Sequence, residues 1–486
     1  MRAGACLVET DMSTLAAAAP AARPARSRSL KALGAVNFFL ADVRDGLGPF
    51  LGIFLIGRGW DTATIGLVMT IGGIAGMLAT TPLGALADAT RAKRFMVAFC
   101  AALVIAASLA ILFVPSFAFV TASQIATGIA GAAIGPAIAG LTLGLVGQKG
   151  LAPQLGRNEA WNHGGNVVAA AGAGFFGYEF GLPAVFMLMT LMAVGSIIAV
   201  LTIKADDIDH DAARGLERQE GQDREAPSGF GVLWRSTPLL ILAGTLMLFH
   251  FGNGAMLPLL GQQVAAQQVA EETGAGSADA AATGGAAVPS ANQPAGNGTA
   301  TATAIAPGQA TAGRPAAEPV QQQTSLKSLL SDPVSYTAAT VIIAQLTMIP
   351  VALLAAGFAG RRGYFLLLVA ALVALPVRGL IAGLWPNPYA LIPVQMLDGV
   401  GAGLLGVAVP GLVARILRGT GHVNAGLGAV MTVQGVGASL SPAIAGLIVE
   451  RFGFSTAYLA LAGFAVCGLV LWLVSAPKVA AACKGE

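Results

Sequence analysis

Long apolar runs of about twenty residues, separated by short polar punctuation, fill most of the chain between residues 32 and 475. A helix that crosses a hydrocarbon core of about 30 Å needs about 20 such residues at 1.5 Å each. That ruler predicts twelve transmembrane helices, over 32–57, 62–87, 95–114, 117–146, 158–180, 183–203, 238–262, 338–358, 364–385, 388–414, 424–449 and 455–475. The runs are continuously apolar and do not alternate at period two, so a transmembrane barrel is excluded. Two polar stretches interrupt the series. Residues 204–237 carry Asp206, Asp207, Asp209, Asp211, Glu217 and Glu220 and read as a solvated connection between two six-helix bundles, 31–203 and 238–475. Residues 264–331 hold almost no large apolar side chain, and the pattern predicts a disordered insert there. With 264–328 set aside, each bundle is 173 residues long. Residues 1–30 and 476–486 are expected to be tails.

Composition narrows the solvent. Of 486 residues, 55% are hydrophobic and 10% charged, against roughly 25% charged in an average soluble chain. The mean hydropathy is +0.74. These values exclude a soluble enzyme, a coiled coil and a nucleic-acid binder. The four cysteines, Cys6, Cys100, Cys467 and Cys483, have neither metal-ligand spacing nor the density of a disulfide scaffold. No metal or cofactor is implied. The first thirty residues lack the apolar core of a cleavable signal. With the N-terminus inside, 21 of the 27 Lys and Arg fall on inner segments, and the outer loops keep Arg58, Arg314, Lys327 and Arg451. The asymmetry predicts cytoplasmic termini and an extracytoplasmic 264–331 insert.

Equal halves invite a search for duplication. Gln124, Gly128 and a small-residue tail in the fourth helix recur 271 residues later at Gln395 and Gly399 in the tenth. The fifth and eleventh helices agree at Gly156/Gly428, Gly165/Gly437 and Gly181/Gly453. Asp45-Gly46 in the first helix matches Asn253-Gly254 in the seventh, which sets Asp42 against His250. Parallel six-helix halves around a midplane site are a transporter architecture.

The stretch between the second and third helices, Gly84-Ala85-Leu86-Ala87-Asp88-Ala89-Thr90-Arg91-Ala92-Lys93-Arg94, resembles the hallmark of the major facilitator superfamily. Gly84, Asp88 and Lys93 match that hallmark, while Ala89, Arg91 and Ala92 depart from it, and the second half keeps only Gly360-Arg361-Arg362-Gly363. Gln124 and Gln395 stand where the family often has Arg. The resemblance implies an all-α membrane protein of twelve helices in two pseudo-symmetric bundles that rock about a central cavity. It also implies a gating role for Gly84, Asp88, Arg91, Lys93 and Arg94, as a latch between the second and eleventh helices in which Gly84 permits close approach. Independently of any family, an acid at a helix C-terminus opposes the macrodipole and calls for a basic partner.

Polar groups deep in these helices are the expensive ones. Asp42, Arg44 and Asp45 fall mid-bilayer in the first helix, the two acids one turn apart on one face. They read as a proton or substrate-charge site, or else as an internal ion-pair staple. His250 and Asn253 take the corresponding place in the seventh helix, where a His titrates near physiological pH or bonds neutrally to a carbonyl. Asn158, Glu159, Asn162, His163 and Asn166 share one broad face of the fifth helix, either lining a vestibule or joining helices. Thr432, Gln434, Ser439 and Ser441 are their mates in the eleventh. Arg378 and Asp398 sit at equal depth on neighbouring helices and are expected to form a structural ion pair away from the cavity.

The resulting expectation is a secondary transporter, not an enzyme, that moves a small organic solute by alternating access. Proton coupling would run through Asp42, Asp45 and His250. Substrate contacts are expected from Arg44, Asn162, His163, Asn166, Asn253, Gln434, Gln124 and Gln395, with a proton gradient as the energy source. Export is favoured over uptake, a monomer in a bacterial inner membrane is expected, and nucleic acid is not a partner. The alternatives are an uptake symporter or facilitator, or a sensor or assembly protein on the same fold.

Overall fold

The structure is a computed structural model that describes residues 24–43, 48–210, 213, 236–283, 330–417 and 423–483. Apart from short connections the backbone there is helical, in α1 (Pro24–Val43), α2 (Pro49–Ile56), α3 (Thr62–Ala89), α4 (Lys93–Phe113), α5 (Phe117–Phe180) and α6 (Leu182–Thr202). The second half holds α7 (Thr237–Asn253), α8 (Met256–Thr283), α9 (Pro333–Arg362), α10 (Phe365–Leu384), α11 (Leu391–Ile416), α12 (Val423–Val474) and α13 (Ala476–Cys483). Among the described residues, nine helical stretches are long and apolar enough to cross a membrane. Gly147, at φ 68°, breaks α5 into two limbs, and Gly453, at φ 81°, breaks α12. With those breaks, the α1–α2 pair and the more polar 148–180 limb of α5, the helices make twelve passes. Only glycine adopts a positive φ without strain, so these two residues act as hinges between antiparallel neighbours.

Pro at the first turn starts α2, α6, α7 and α9, where the missing N–H has no partner to lose. Asp61 and Asp332 cap α3 and α9 by accepting from Thr64 N and Ser335 N, both at 2.7 Å. Burial alone would raise Asp61, but the hydrogen bonds from Thr64 outweigh it and hold the carboxyl below its ordinary 3.8. The apolar surface splits in two directions. Leu33, Val104, Ile134, Leu242, Leu372 and Leu412 are fully buried inside the bundles, whereas Phe95, Phe113, Phe180, Leu191 and Val474 are exposed, as lipid-facing side chains are.

The duplication is visible as contacts. A Cβ on Gly165 would overlap the Phe38 carbonyl of α1, and one on Gly437 would overlap the Met247 carbonyl of α7. Likewise Gly128 lies against Gly72 O of α3, and its mate Gly399 against Ala344 O of α9. Gly181 and Gly453 share one backbone conformation, φ 77°, ψ 177° and φ 81°, ψ 168°. Close approaches need small residues at both crossings, which fixes glycine at equivalent places.

Three expected coil segments are partly helical. Residues 264–283 extend α8, because an Ala-, Gln- and Glu-rich run favours helix even when too polar for a core. Tyr458 donates to Gln263 Oε1 at 3.0 Å, and a Cβ on Gly52 of α2 would meet the Gln262 side chain, so the start of that extension is pinned by packing. Residues 24–30 belong to α1, with Ser29 Oγ donating to Asp207 Oδ2 at 2.6 Å. Residues 476–483 form α13, whose Cys483 carbonyl accepts from Tyr364 N at 3.0 Å. The remainder of the predicted tails, connection and insert (1–23, 211–212, 214–235, 284–329 and 484–486) lies outside the described residues.

Among the described residues the halves pack most tightly toward one end, and the α5–α9 contact runs on to mid-depth at His163 and Gln345. At the tight end Gly66 packs on the Pro442 carbonyl, Gly446 on that of Thr62, Gly73 on Ser439 and Gly177 on Val334. Ala443 N donates to Thr70 Oγ1 at 3.0 Å across the α3–α12 contact. At the other end, Gly84 of α3, Gly156 of α5, Gly357 of α9 and Gly428 of α12 have nothing within 4 Å of a built Cβ. The second and eleventh helices do pair, as the resemblance implies. In this conformation, however, their tight contact is at Gly66 and Gly446, not at Gly84.

Candidate functional site

Between the halves lies a cavity of about 830 Å³. Its N-half wall is Gly48 and Pro49, the α3 stripe Met69, Gly72, Gly73, Gly76, Met77 and Thr80, and Gln124, Thr127 and Gly128 of α5. The other wall is Asn253, Gly254, Leu257 and Pro258 at the α7–α8 break, Arg378, Asp398, and Met431, Thr432, Gly435 and Ser439 of α12. The break itself is built: Gly254 packs against the Ala438 carbonyl, and the freed Ala255 N–H donates to Ser441 Oγ at 2.9 Å. A second cavity of about 380 Å³ shares Asn253, Asp398 and Met431 with the first and continues to Phe249, His250, Leu405, Val409, Leu427 and Gln434.

The charged centre of both cavities is one cluster. Arg378 Nη1 donates to Asp398 Oδ1 at 2.6 Å and to Asn253 Oδ1 at 2.5 Å. Arg378 is 1% exposed and the Asp398 side chain 21%, so the carboxylate faces the cavity and the guanidinium stands behind it. Arg378 Nε and Nη2 are buried without a partner. The pair forms as the sequence suggests, but it belongs to the cavity wall and not to the periphery. Gly379 and Gly383 press α10 onto α12 at Ala462 and Leu459, and α10 also packs along α11, which turns the neighbouring Arg378 inward.

The other sequence candidates divide. Asn253 and Gln124 line the large cavity, and His250 and Gln434 the smaller one. His250 Nδ1 lies 2.9 Å from the Leu246 carbonyl of its own helix, which leaves Nε2 for the cavity. His163 Nδ1 is 2.8 Å from Gln345 Oε1 of α9, so this residue joins the halves. Asn162 and Asn166 are half-buried on α5 and line none of the described cavities. Asn158 is buried, accepts from Gln154 Nε2 and donates to Thr142 Oγ1, both at 3.0 Å, and so joins the two limbs of α5. Gln395 is fully buried with both amide atoms unpartnered, away from the cavity it was expected to line. It shares a face with Gly399, one turn on, and that face packs against α9. Arg44, Asp45 and the side chains of Asp42 and Asp88 lie outside the described residues.

Around the Asp88 turn, Lys93 is buried with Nζ donating to the Thr90 carbonyl at 2.8 Å. Arg94 Nη1 donates to the Ile203 carbonyl at the end of α6. Arg91 is exposed, and Gly84 is half-buried. Sequence reasoning missed Gln345, Thr127 and the Met69, Met77 and Met431 set. Gln345 carried a signal, an amide in an apolar span, whereas methionines in apolar helices carry none.

Residues 33–291 and 309–485 match the sequence profile of the Major Facilitator Superfamily. The chain belongs to the major facilitator superfamily. Two Mycobacterium tuberculosis proteins, from strains CDC 1551/Oshkosh and H37Rv, are each 38% identical to it over 455 residues, covering 93% of this chain and 94% of theirs; both bear the name uncharacterized MFS-type transporter. Among solved structures, a mutant of the nucleoside transporter NupG superposes with a TM-score of 0.66 at 15% identity, over 93% of this chain and 99% of that one. A bacterial homologue of the human lysosomal transporter Spinster, inward-facing and unoccupied, gives 0.60 at 14%, over 96% and 100%. These structural likenesses establish the facilitator fold, and with the family they make the protein a multi-pass membrane transporter.

Proposed function

We propose that this facilitator is a secondary active transporter that carries a small organic solute through the central cavity by alternating access, with the proton as coupling ion and export as its direction. The observation that carries the reading is the cavity itself. It lies between the halves, stops short of the Gly66 and Gly446 contacts, reaches Thr80 and Gly428 towards the end where Gly84 has no neighbour, and holds a carboxylate–guanidinium pair in its wall.

The pair supports proton coupling. Protonating Asp398 removes the counter-charge of a guanidinium that is 1% exposed, and stranding a buried charge costs about 3–5 kcal/mol. Protonation, solute binding and the packing of α10 and α11 are thereby linked. Asp42 and Asp45 are proposed as further coupling acids with His250 as a partner, and Arg44, Asn253, Gln124 and Gln434 as polar contacts to solute. Met69, Met77 and Met431 supply an adaptable apolar surface for its body. The Lys and Arg asymmetry supports cytoplasmic termini, as in a bacterial inner membrane. That orientation turns the open end to the cytoplasm, from which an exporter loads.

In proteoliposomes, Asp398→Asn is expected to keep solute counterflow while losing accumulation driven by a proton gradient. Asp42→Asn and Asp45→Asn test the α1 acids in the same assay. Full proton-driven accumulation by all three variants would refute the coupling scheme.

A further inference from the structure

We propose that the groove between α1 and the 148–180 limb of α5 is a binding site for an anionic phospholipid, with the headgroup phosphate between Lys31 and Arg157 and an acyl chain against Phe38, Phe39 and Trp161. The groove has a volume of about 780 Å³, and Ser27, Ala35 and Gln154 complete much of its lining. It is separate from the two cavities at Asp398, with which it shares no residue.

The layering of its chemistry matches a lipid. Both helices begin at the same end of the bundle. Lys31 and Arg157 stand at the start of the first and fifth spans, where a headgroup lies. Phe38 and Trp161 follow seven and four residues further along their helices, about 10 and 6 Å deeper at 1.5 Å per residue. Cations at the boundary and aromatic rings just below it suit an amphiphile whose charge is at one end. A soluble anion would leave the aromatic floor unfilled.

The floor is built, not incidental. A Cβ on Gly34 would fall 2.7 Å from Trp161 Nε1, so glycine lets the indole lie on α1. Phe38 meets the same indole edge-on at 6.2 Å and Phe39 edge-on at 5.3 Å. Trp161 nonetheless stays 52% exposed, which is apolar area awaiting cover. Lys31 and Arg157 are exposed, and no carboxylate lines the groove among the described residues. The nearby Asp207 carboxylate is engaged by Ser29, and Glu159 is exposed on α5 outside the lining. Basic pockets between transmembrane helices bind anionic headgroups by this charge match.

The test is native mass spectrometry of the full-length protein with phosphatidylglycerol or phosphatidylcholine. The wild type should retain phosphatidylglycerol preferentially. The pair Lys31→Gln with Arg157→Gln should cut that retention about twenty-five-fold relative to phosphatidylcholine, since each cation contributes about a factor of five. Lys31→Arg with Arg157→Lys should keep it, and Trp161→Ala should weaken both lipids alike. An unchanged phosphatidylglycerol preference in the Gln pair, with its melting temperature intact, overturns the proposal. So does displacement of phosphatidylglycerol by millimolar inorganic phosphate, which would mark a site for soluble anions.

Discussion

Replacing Asp398 by Ala asks how much the cavity-wall ion pair contributes to the fold. The change leaves Arg378, 1% exposed, with Asn253 Oδ1 as its one hydrogen-bond acceptor, while Nε and Nη2 already have none. An orphaned buried charge costs about 3–5 kcal/mol, whereas exchanging both members for apolar residues of similar volume is near neutral. Asp398→Ala should therefore lower stability by about that amount, and Arg378→Met with Asp398→Leu should recover most of it. For a cooperative unit the size of one half, about 2–4 °C per kcal/mol gives a drop of about 6–20 °C. Thermal unfolding of the purified protein in nanodiscs, followed by tryptophan fluorescence, reads both variants against wild type. A single variant that melts within a degree of wild type would refute the reasoning. So would a double variant as unstable as the single one, since the loss would then not arise from an unpaired charge.

Gly66→Ala should prevent the sealed end from closing, because its Cβ would overlap the Pro442 carbonyl, whereas Gly84→Ala meets nothing in this conformation. Solvent labelling of a cysteine placed at Thr62, buried against Gly446 in the seal, should rise in the first variant and stay unchanged in the second. Burial raises the Cys483 thiol from its ordinary 9.0 to about 11, with Arg415 pulling the other way. A group that holds its proton more tightly when docked stabilises the docked α13 below pH 9, and that contribution is lost as pH climbs from 9 towards 11. With the other three cysteines replaced, maleimide should label Cys483 slowly at pH 7 and disproportionately faster across that window. Labelling at pH 7 at the rate of a free peptide thiol would contradict the docking.

The sequence carried the fold because a bilayer constrains it: apolar length predicts a crossing, and the glycine repeats predict which crossings are tight. Gly165 and Gly437 illustrate this, since both lie on carbonyls of the helix their half begins with. Facing direction was less legible. Gln124 and Gln395 occupy one register, yet one borders the cavity and the other is sealed on the α9-packing side. Both helices turn that face to the second helix of their half, so the difference lies in how far the neighbour covers each amide, which a single segment does not encode. Arg378 and Asp398 were readable as a pair but not as cavity wall, because Gly379 and Gly383 set that orientation through α12. The extension of α8 to Thr283 was misread from composition, since low hydrophobicity forbids a core but not a helix that begins inside one. Gly84 reads as a packing glycine and meets no neighbour in this conformation.

The central claim, that the halves exchange one sealed end for the other, is tested most directly by paired distance measurements in a lipid bilayer. Spin labels at Arg58→Cys and Phe452→Cys report the sealed end, and labels at Arg91→Cys and Arg361→Cys the open end. Imposing a proton gradient or adding solute should widen the first pair while narrowing the second. Two pairs that move in the same direction, or not at all under any proton or solute load, would contradict alternating access through this cavity.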